Sequence, residues 1–274
     1  MNYNNLLHQA IIASVLAGNE ILKIYDTNFS VEIKDDKSPL TLADKNASEK
    51  IIDFLSPLKI PVLSEEGKHD DFTIRKQWDK LWIVDPLDGT KEFVKRNGEF
   101  TVNIALVENN LPNIGVIYAP VLNDIYFASK ELGAYKINGD DFKLIKNEIE
   151  NLSFENILSK AKKLPIETNN SIYKVVASRS HMSTETYQHI EDLKLKHKTV
   201  EIVNTGSSIK MCLVAEGVAN EYPRFGPTME WDTAAGQAIL QASNCTLIDL
   251  ETNQPMKYNR ENLLNNWFIA KHNE

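Results

Sequence analysis

Leu81-Trp82-Ile83-Val84-Asp85-Pro86-Leu87-Asp88-Gly89-Thr90 carries the reading of this chain. Leu81 to Val84 is short, apolar and partly β-branched, which suits an interior strand. Pro86 has no amide hydrogen for a ladder and Gly89 tolerates positive φ, so the strand is expected to stop there and the chain to turn. Asp85 and Asp88 then converge on the turn, where two anions repel unless a cation lies between them. Oxygen-only ligands of this kind suit Mg²⁺, which keeps several waters and is completed by substrate phosphate. The competing reading is an ordinary Asp-rich turn whose carboxylates cap backbone amides.

Other stretches shift the balance toward a site. Upstream, Pro61-Val62-Leu63-Ser64-Glu65-Glu66-Gly67 is a second apolar run that ends in carboxylates and a glycine. Downstream, Trp231-Asp232-Thr233-Ala234-Ala235-Gly236 opens a segment of small and aliphatic residues that reads as a well-packed helix with Asp232 in its first turn. An acid there is favoured by the helix dipole even without a metal, so Asp232 alone reads as a capping residue rather than a ligand. A further acid, Asp44, lies in Ser38-Pro39-Leu40-Thr41-Leu42-Ala43-Asp44.

Taken together, the Glu-Glu pair after an apolar run, D-P-L-D-G-T and W-D-x-A-A-G resemble the signature of the inositol monophosphatase superfamily of metal-dependent, lithium-sensitive phosphomonoesterases. Within it, three segments are similar to the bacterial 3′(2′),5′-bisphosphate nucleotidases: Asp85 through Asn103, Gly206-Ser207-Ser208-Ile209-Lys210 with Cys212 through Gly217, and Tyr222 through Thr228. The likeness runs from near residue 5 to the C-terminus and is weakest through the lysine- and asparagine-rich stretch between about 136 and 170.

The resemblance implies a mixed α+β / α/β fold, the layered α-β-α-β-α sandwich of the inositol monophosphatase-like phosphatases. It implies that Glu65, Asp85, Asp88, Asp232 and the Leu87 carbonyl hold two or three Mg²⁺ ions, with Asp88 bridging. Asp44 and Thr90 correspond to the pair that orients and deprotonates the attacking water; taken singly they read as a helix-start acid and a turn hydroxyl. A helix beginning at Gly89-Thr90-Lys91 would point free amides at the scissile phosphate. Ser207, Lys210 and Arg224 match positions that contact the nucleotide, Ser207 and Lys210 being expected three apart on one helical face. Ser178-Arg179-Ser180-His181 resembles the segment near ribose and base, with His181 as its candidate contact.

The implied activity is Mg²⁺-dependent hydrolysis of adenosine 3′,5′-bisphosphate to AMP and phosphate by metal-activated water, extending to 3′-phosphoadenylyl sulfate and linked to sulfate assimilation. Two alternatives stand beside it: an inositol monophosphatase or sugar bisphosphatase of the same superfamily, and a non-catalytic nucleotide- or metal-binding regulator.

Composition bounds these readings. The 274 residues, 42% hydrophobic and 25% charged, suffice for one large domain or two small halves sharing a core. A net charge of −8 and a pI near 5.4 argue against a nucleic-acid polymer as ligand, whereas a single nucleotide can be neutralised locally by metals and a few cations. Cys212 and Cys245 are too few for a disulfide scaffold and read as buried thiols of a cytoplasmic protein. No signal-peptide pattern and no membrane-length apolar run is apparent, and peripheral attachment at the inner membrane finds no basic anchor in the sequence. The oligomeric state is not encoded in any feature of this kind.

Along the chain, Leu6 to Tyr25 has the period of a long amphipathic helix, and a second is expected from about Leu42 to Leu55. Strands are expected over Phe100–Val107, Ile114–Tyr118, Ile125–Ala128 and Ala134–Ile137. This gives an N-terminal α+β half over 1–140, carrying most metal ligands, and a connecting segment, 141–170, read as a boundary or surface excursion. The α/β half over 171–274 carries Asp232 and the substrate-selecting residues. Its expected elements are strands Tyr173–Ala177, Val200–Val203, Val218–Tyr222, Thr246–Leu250 and Trp267–Ala270, with helices Ser183–Lys196, Ser207–Glu216 and Trp231–Ala242.

Overall fold

Alternating side chains on the longest strands are buried on both faces of one sheet, and that double burial organises the molecule. The computed structural model describes residues 2–25, 27, 31–33, 39–166, 172–178 and 182–273. Helix α1 (Tyr3–Tyr25) is followed by a small antiparallel pair, β1 (Val31–Ile33) and β2 (Pro39–Thr41), then helix α2 (Leu42–Leu55). Strand β3 (Val62–Ser64), the single turn α3 (Phe72–Arg75), strand β4 (Lys80–Asp88) and the short helix α4 (Thr90–Val94) bring the chain to β5 (Thr101–Glu108), β6 (Leu111–Ala119), β7 (Asp124–Ser129) and β8 (Gly133–Ile137). With β9 (Lys162–Lys163) these form a seven-stranded sheet in order β3 to β9, parallel only between β3 and β4.

Period-two alternation divides the sheet's side chains between two cores. Trp82, Val84, Ile104, Leu106, Val116 and Phe127 face α1 and α2, while Leu81, Ile83, Ala105, Val107, Ile117 and Ala128 face the opposite way. The strands therefore read as nearly continuous apolar runs.

On the second face lie α8 (Ile209–Glu216) and α9 (Glu230–Ala242), introduced by β10 (Tyr173–Ser178), α7 (Thr184–Lys196), β11 (Val200–Thr205) and β12 (Glu221–Arg224). Strands β13 (Cys245–Asp249), β14 (Gln254–Pro255) and β15 (Phe268–His272) complete a six-stranded mixed sheet ordered β11-β10-β12-β15-β13-β14. Helix α9 packs on β4 to β8 and also on β13, α8 packs on β10, β12 and β15, and α7 lies against β11 and β12. The layers run helix, sheet, helix, sheet, helix. One core cluster contains Ile83 and Ile117 together with Cys212, Ile239 and Phe268, so the two sheets share the apolar layer between them. Gly115 permits the close approach: a Cβ there would sit 2.3 Å from the Ala235 carbonyl of α9.

Several boundaries differ from expectation. The described part of the connecting stretch is ordered rather than a surface excursion: α5 (Gly139–Lys143), a 3₁₀ turn over Lys146–Asn151 and α6 (Phe154–Leu158) bury Phe142, Ile149, Phe154 and Ile157 in the α1 core. Half of residues 139–158 are Lys, Asn, Asp or Glu, and the buried apolar residues are divided among three short elements. The strand expected over Val218–Tyr222 is shifted to Glu221–Arg224, because Gly217 at φ 85° closes α8 first and the chain needs Val218–Asn220 to reach the sheet.

Candidate active site

The strand does not stop at Pro86. It continues to Asp88 with one extra residue: Asp85 lies opposite Asn103 and Asp88 opposite Thr101, so three steps on β4 span two on β5. Residues three apart on a regular strand point to opposite faces, and a one-residue bulge restores them to the same face. The bulge thus converts D-P-L-D from an alternating pair into a converging one. Gly89 then turns the chain at φ 94°, a conformation costly for any side chain, into the α4 turn.

Asp232 arrives from the other half, in the first turn of α9. Carboxylate oxygens of Asp85, Asp88 and Asp232 come within 4.8 Å of one another. Asp232 also serves the capping role that the sequence left open: its Oδ2 accepts from the Met229 amide at 2.8 Å. Asp44, fully buried in the first turn of α2, and Glu65, after β3, both add to the repulsion that Asp85 feels. The Glu65 amide is itself held by the Val84 carbonyl at 3.0 Å.

Electrostatics mark the cluster as under-neutralised. Asp85 is raised well above the usual carboxylate range, first by burial and then by Glu65, Asp88, Asp232 and Asp44. Asp232 is pushed up to about 8 by its loss of water and by Asp88, while the Met229 amide opposes the shift. Asp88 is raised by burial too, but Lys210, the Ser208 amide and Asn103 pull it back. Three carboxylates within 4.8 Å of one another offer only hard oxygen donors, a set suited to a hard divalent ion.

Opposite the acids is a basic wall. Asp88, Gly89, Ser207, Lys210, Arg224 and Asp232 line one cavity of about 130 Å³, with Glu92 and Tyr222 at its sides. Lys210 is buried, with Nζ 5.6 Å from the centre of the Tyr222 ring, and burial lowers its pKa to about 8 against the opposing pull of Asp88. Arg224 donates from Nη2 to the Pro227 carbonyl at 2.9 Å, and its Nε is buried without a protein partner. Arg224, Tyr222 and Pro223 also border an adjoining cavity of about 290 Å³ reached by Lys91, Thr186 and Phe225.

Of the remaining expected residues, Leu87 is buried and its carbonyl accepts from the Thr90 hydroxyl at 3.5 Å. Ser207 does not share a helical face with Lys210. It precedes α8 with φ 45°, because the next amide, that of Ser208, is drawn 2.6 Å from Asp88 Oδ2 and the helix can only begin after it. The Ser207 hydroxyl still lines the cavity and has no protein partner. His181 lies outside the described residues.

The sequence reading left out the polar relay behind Asp88. Ser208 Oγ meets Asn103 Oδ1 and Thr101 Oγ1 at 2.7 Å each, and Thr101 Oγ1 lies 3.0 Å from Asn103 Oδ1. Its available signal was the T-x-N alternation two residues apart on β5, which places both side chains on Asp88's face.

The whole chain fits this architecture in known proteins. Residues 2–273 match the model of the inositol monophosphatase family, and the chain belongs to that family. It is similar to the 3′(2′),5′-bisphosphate nucleotidase CysQ of Shigella flexneri, 43% identical over 92% of this chain and 94% of that protein. The corresponding Escherichia coli K12 protein is 41% identical over the same shares. Among solved structures, CysQ from Bacteroides thetaiotaomicron superposes with a TM-score of 0.90 at 49% identity, covering 99% of this chain and 98% of that one. A Thermotoga maritima inositol monophosphatase at 22% identity shares the fold, with a TM-score of 0.71 over 96% and 90% of the two chains.

Proposed function

We propose that this chain is a Mg²⁺-dependent 3′(2′),5′-bisphosphate nucleotidase that cleaves the 3′-phosphate of adenosine 3′,5′-bisphosphate to yield AMP and phosphate, and accepts 3′-phosphoadenylyl sulfate as well. The observation that carries the reading is one cavity lined by the carboxylates of Asp88 and Asp232, with buried Asp85 within 4.8 Å behind them, and by the basic side chains of Lys210 and Arg224. A phosphomonoester resists attack because its charge repels the nucleophile and its alkoxide leaves poorly. Magnesium, when bound, acidifies water and neutralises charge on the ester oxygen.

Glu65, Asp85, Asp88, Asp232 and the Leu87 carbonyl would hold two or three ions. Asp44 accepts the water's proton, and the Thr90 hydroxyl, next to the Leu87 carbonyl, orients that water. The buried Lys210 ammonium and the Arg224 guanidinium offer fixed donors to a second phosphate that does not react, which a monophosphate lacks. Ser207 adds a hydroxyl on the same wall, and His181 stands as the contact to the nucleoside. The similarity to proteins named as bisphosphate nucleotidases, over nearly the full length, supports the same substrate class.

The test is phosphate release from adenosine 3′,5′-bisphosphate, inositol 1-phosphate and fructose 1,6-bisphosphate, each with and without Mg²⁺. The reading expects Mg²⁺-dependent release with the nucleotide strongly preferred. Preference for either of the other two would replace it with a different phosphatase of the family.

A further inference from the structure

Asp232 and Glu65 reach the site from opposite halves, and a buried network outside the cavity spans the same gap. Glu230, two residues before Asp232, has no exposed surface, yet its carboxylate accepts three hydrogen bonds: Oε2 accepts from the Asn259 amide at 2.6 Å, and Oε1 from the Arg260 amide at 3.0 Å and Arg260 Nε at 3.2 Å. Asn259 in turn makes a reciprocal pair with Arg75 of the N-terminal half. Arg75 Nη1 donates to Asn259 Oδ1 at 2.9 Å, and Asn259 Nδ2 donates to the Arg75 carbonyl at 2.7 Å. The guanidinium also holds the Arg260 carbonyl with both terminal nitrogens at 3.2 Å and the Asp70 carbonyl through Nε at 2.9 Å.

Arg75 ends the segment that starts at Glu65, and that segment makes a second contact to α9. His69 Nε2 lies 2.7 Å from the Ser64 carbonyl, and the His69 ring packs 5.3 Å from Trp231, the neighbour of Asp232. A third set of bonds closes the cage. Asn265 Nδ2 donates to Thr228 Oγ1, the Met229 carbonyl and Thr233 Oγ1, and the Glu230 amide donates to the Leu263 carbonyl at 3.0 Å. None of Arg75, Glu230, Asn259 or Arg260 lines the cavity.

We propose that Glu230, Asn259, Arg260 and Arg75 form a positioning network that sets the distance between the Glu65 segment and Asp232, and thereby sets the affinity of the site for its divalent ion. Buried charge is a costly means of joining two loops, and a half-satisfied network is worse than an apolar contact. What charge adds is geometry: each bond has a direction, so the start of α9 cannot slide against the Glu65 segment without breaking several bonds. Groups that orient metal ligands from behind alter metal affinity roughly 10- to 100-fold when removed.

The inference rests on the metal-site reading above, so the experiment separates the two. Binding of Mg²⁺ and Mn²⁺ to the substrate-free protein is measured by titration calorimetry for the parent, Glu230→Gln, Arg75→Lys and Asp85→Asn, with Ile125→Val as a core variant remote from the site. The network expects Kd for both metals to rise roughly tenfold in Glu230→Gln and Arg75→Lys. It expects kcat at saturating Mg²⁺ to stay within a few-fold of the parent, and Ile125→Val to leave Kd unmoved even where its melting temperature falls as far. Arg75→Lys keeps the charge and approaches from the other half, so it serves if Glu230→Gln does not fold. Parent-like Kd in the folded network variants, with binding lost in Asp85→Asn, overturns the network alone. Parent-like binding in Asp85→Asn overturns the metal assignment and the network with it.

Discussion

The acidic floor and the basic wall of the cavity carry buried charge in opposite ways. Behind the floor, Asp85 is raised by burial and by Glu65, Asp88, Asp232 and Asp44, while its Oδ1 accepts from the Leu87 amide at 3.0 Å. On the wall, Lys210 is also buried, yet Asp88 partly offsets the loss of water. The floor thus gathers like charges, whereas the wall sets Lys210 against the opposite charge of Asp88. Under the proposed function, ions would neutralise the floor, and the substrate phosphates would meet both the ions and the wall.

Breaking the floor should have the largest effect. Asp88→Asn removes a charge from the cluster and weakens the anchor for the Ser208 amide, and the expected loss in kcat is about 4 kcal/mol of transition-state stabilisation, roughly a thousandfold. Steady-state kinetics at saturating Mg²⁺ check it; a rate near that of the parent would remove Asp88 from the metal set.

Breaking the wall should cost less and in a substrate-dependent way. Lys210→Ala or Arg224→Ala removes a charged hydrogen bond worth about 1.5–3 kcal/mol, roughly ten- to a hundredfold in kcat/KM for adenosine 3′,5′-bisphosphate. A monophosphate lacking the second phosphate should lose far less. The ratio of the two kcat/KM values, in parent and variant, is the discriminating measurement.

Titration sharpens the contrast without a mutation. Asp232 has a folded pKa near 8 against an unfolded value of about 3.9, so the native state holds more protons than the unfolded one between those limits. Its contribution to metal-free stability is present below about pH 4 and is lost as pH rises through 8. Thermal melts should therefore show Mg²⁺ stabilising the protein more at pH 8 than at pH 6, because fewer protons compete for the floor. An equal Mg²⁺ shift at both values would argue against proton and metal sharing these oxygens.

The smallest expected effect is that of a monovalent probe. Li⁺ should inhibit at concentrations where Na⁺ does not, since a small ion could enter the floor yet supply too little charge to the leaving group. Phosphate release at limiting Mg²⁺, compared between the two chlorides, measures it, and equal responses would count against a floor of this size and charge.

Much of this was legible from residues close in sequence. Interior strands, the long first helix, the start of α2 at Leu42 and the helix after Trp231 followed from apolar periodicity, because a side chain's burial depends on the face its backbone period assigns to it. The candidate acids were also visible beside Pro and Gly at the ends of apolar runs, although each alone read as a capping carboxylate and only the motifs taken together pointed to a site. The short helices within 139–158 were not legible because each offers only one or two buried apolar residues in a stretch that is half Lys, Asn, Asp and Glu.

Residues close in sequence thus named the candidates for the site, the acids at 65, 85, 88 and 232 and the basic residues at 210 and 224. Tertiary structure decided how they meet. Only the pairing of β4 with β5 revealed the bulge that turns Asp85 and Asp88 to one face, in place of the strand end that Pro86 suggested. Only the approach of the second half revealed that the Ser208 amide binds Asp88, which displaces Ser207 from the helix and leaves it in the left-handed region at the cavity wall. The physical reason is common to both: backbone period is a local property, but bulges and helix starts are set by which distant donor or acceptor a residue must satisfy.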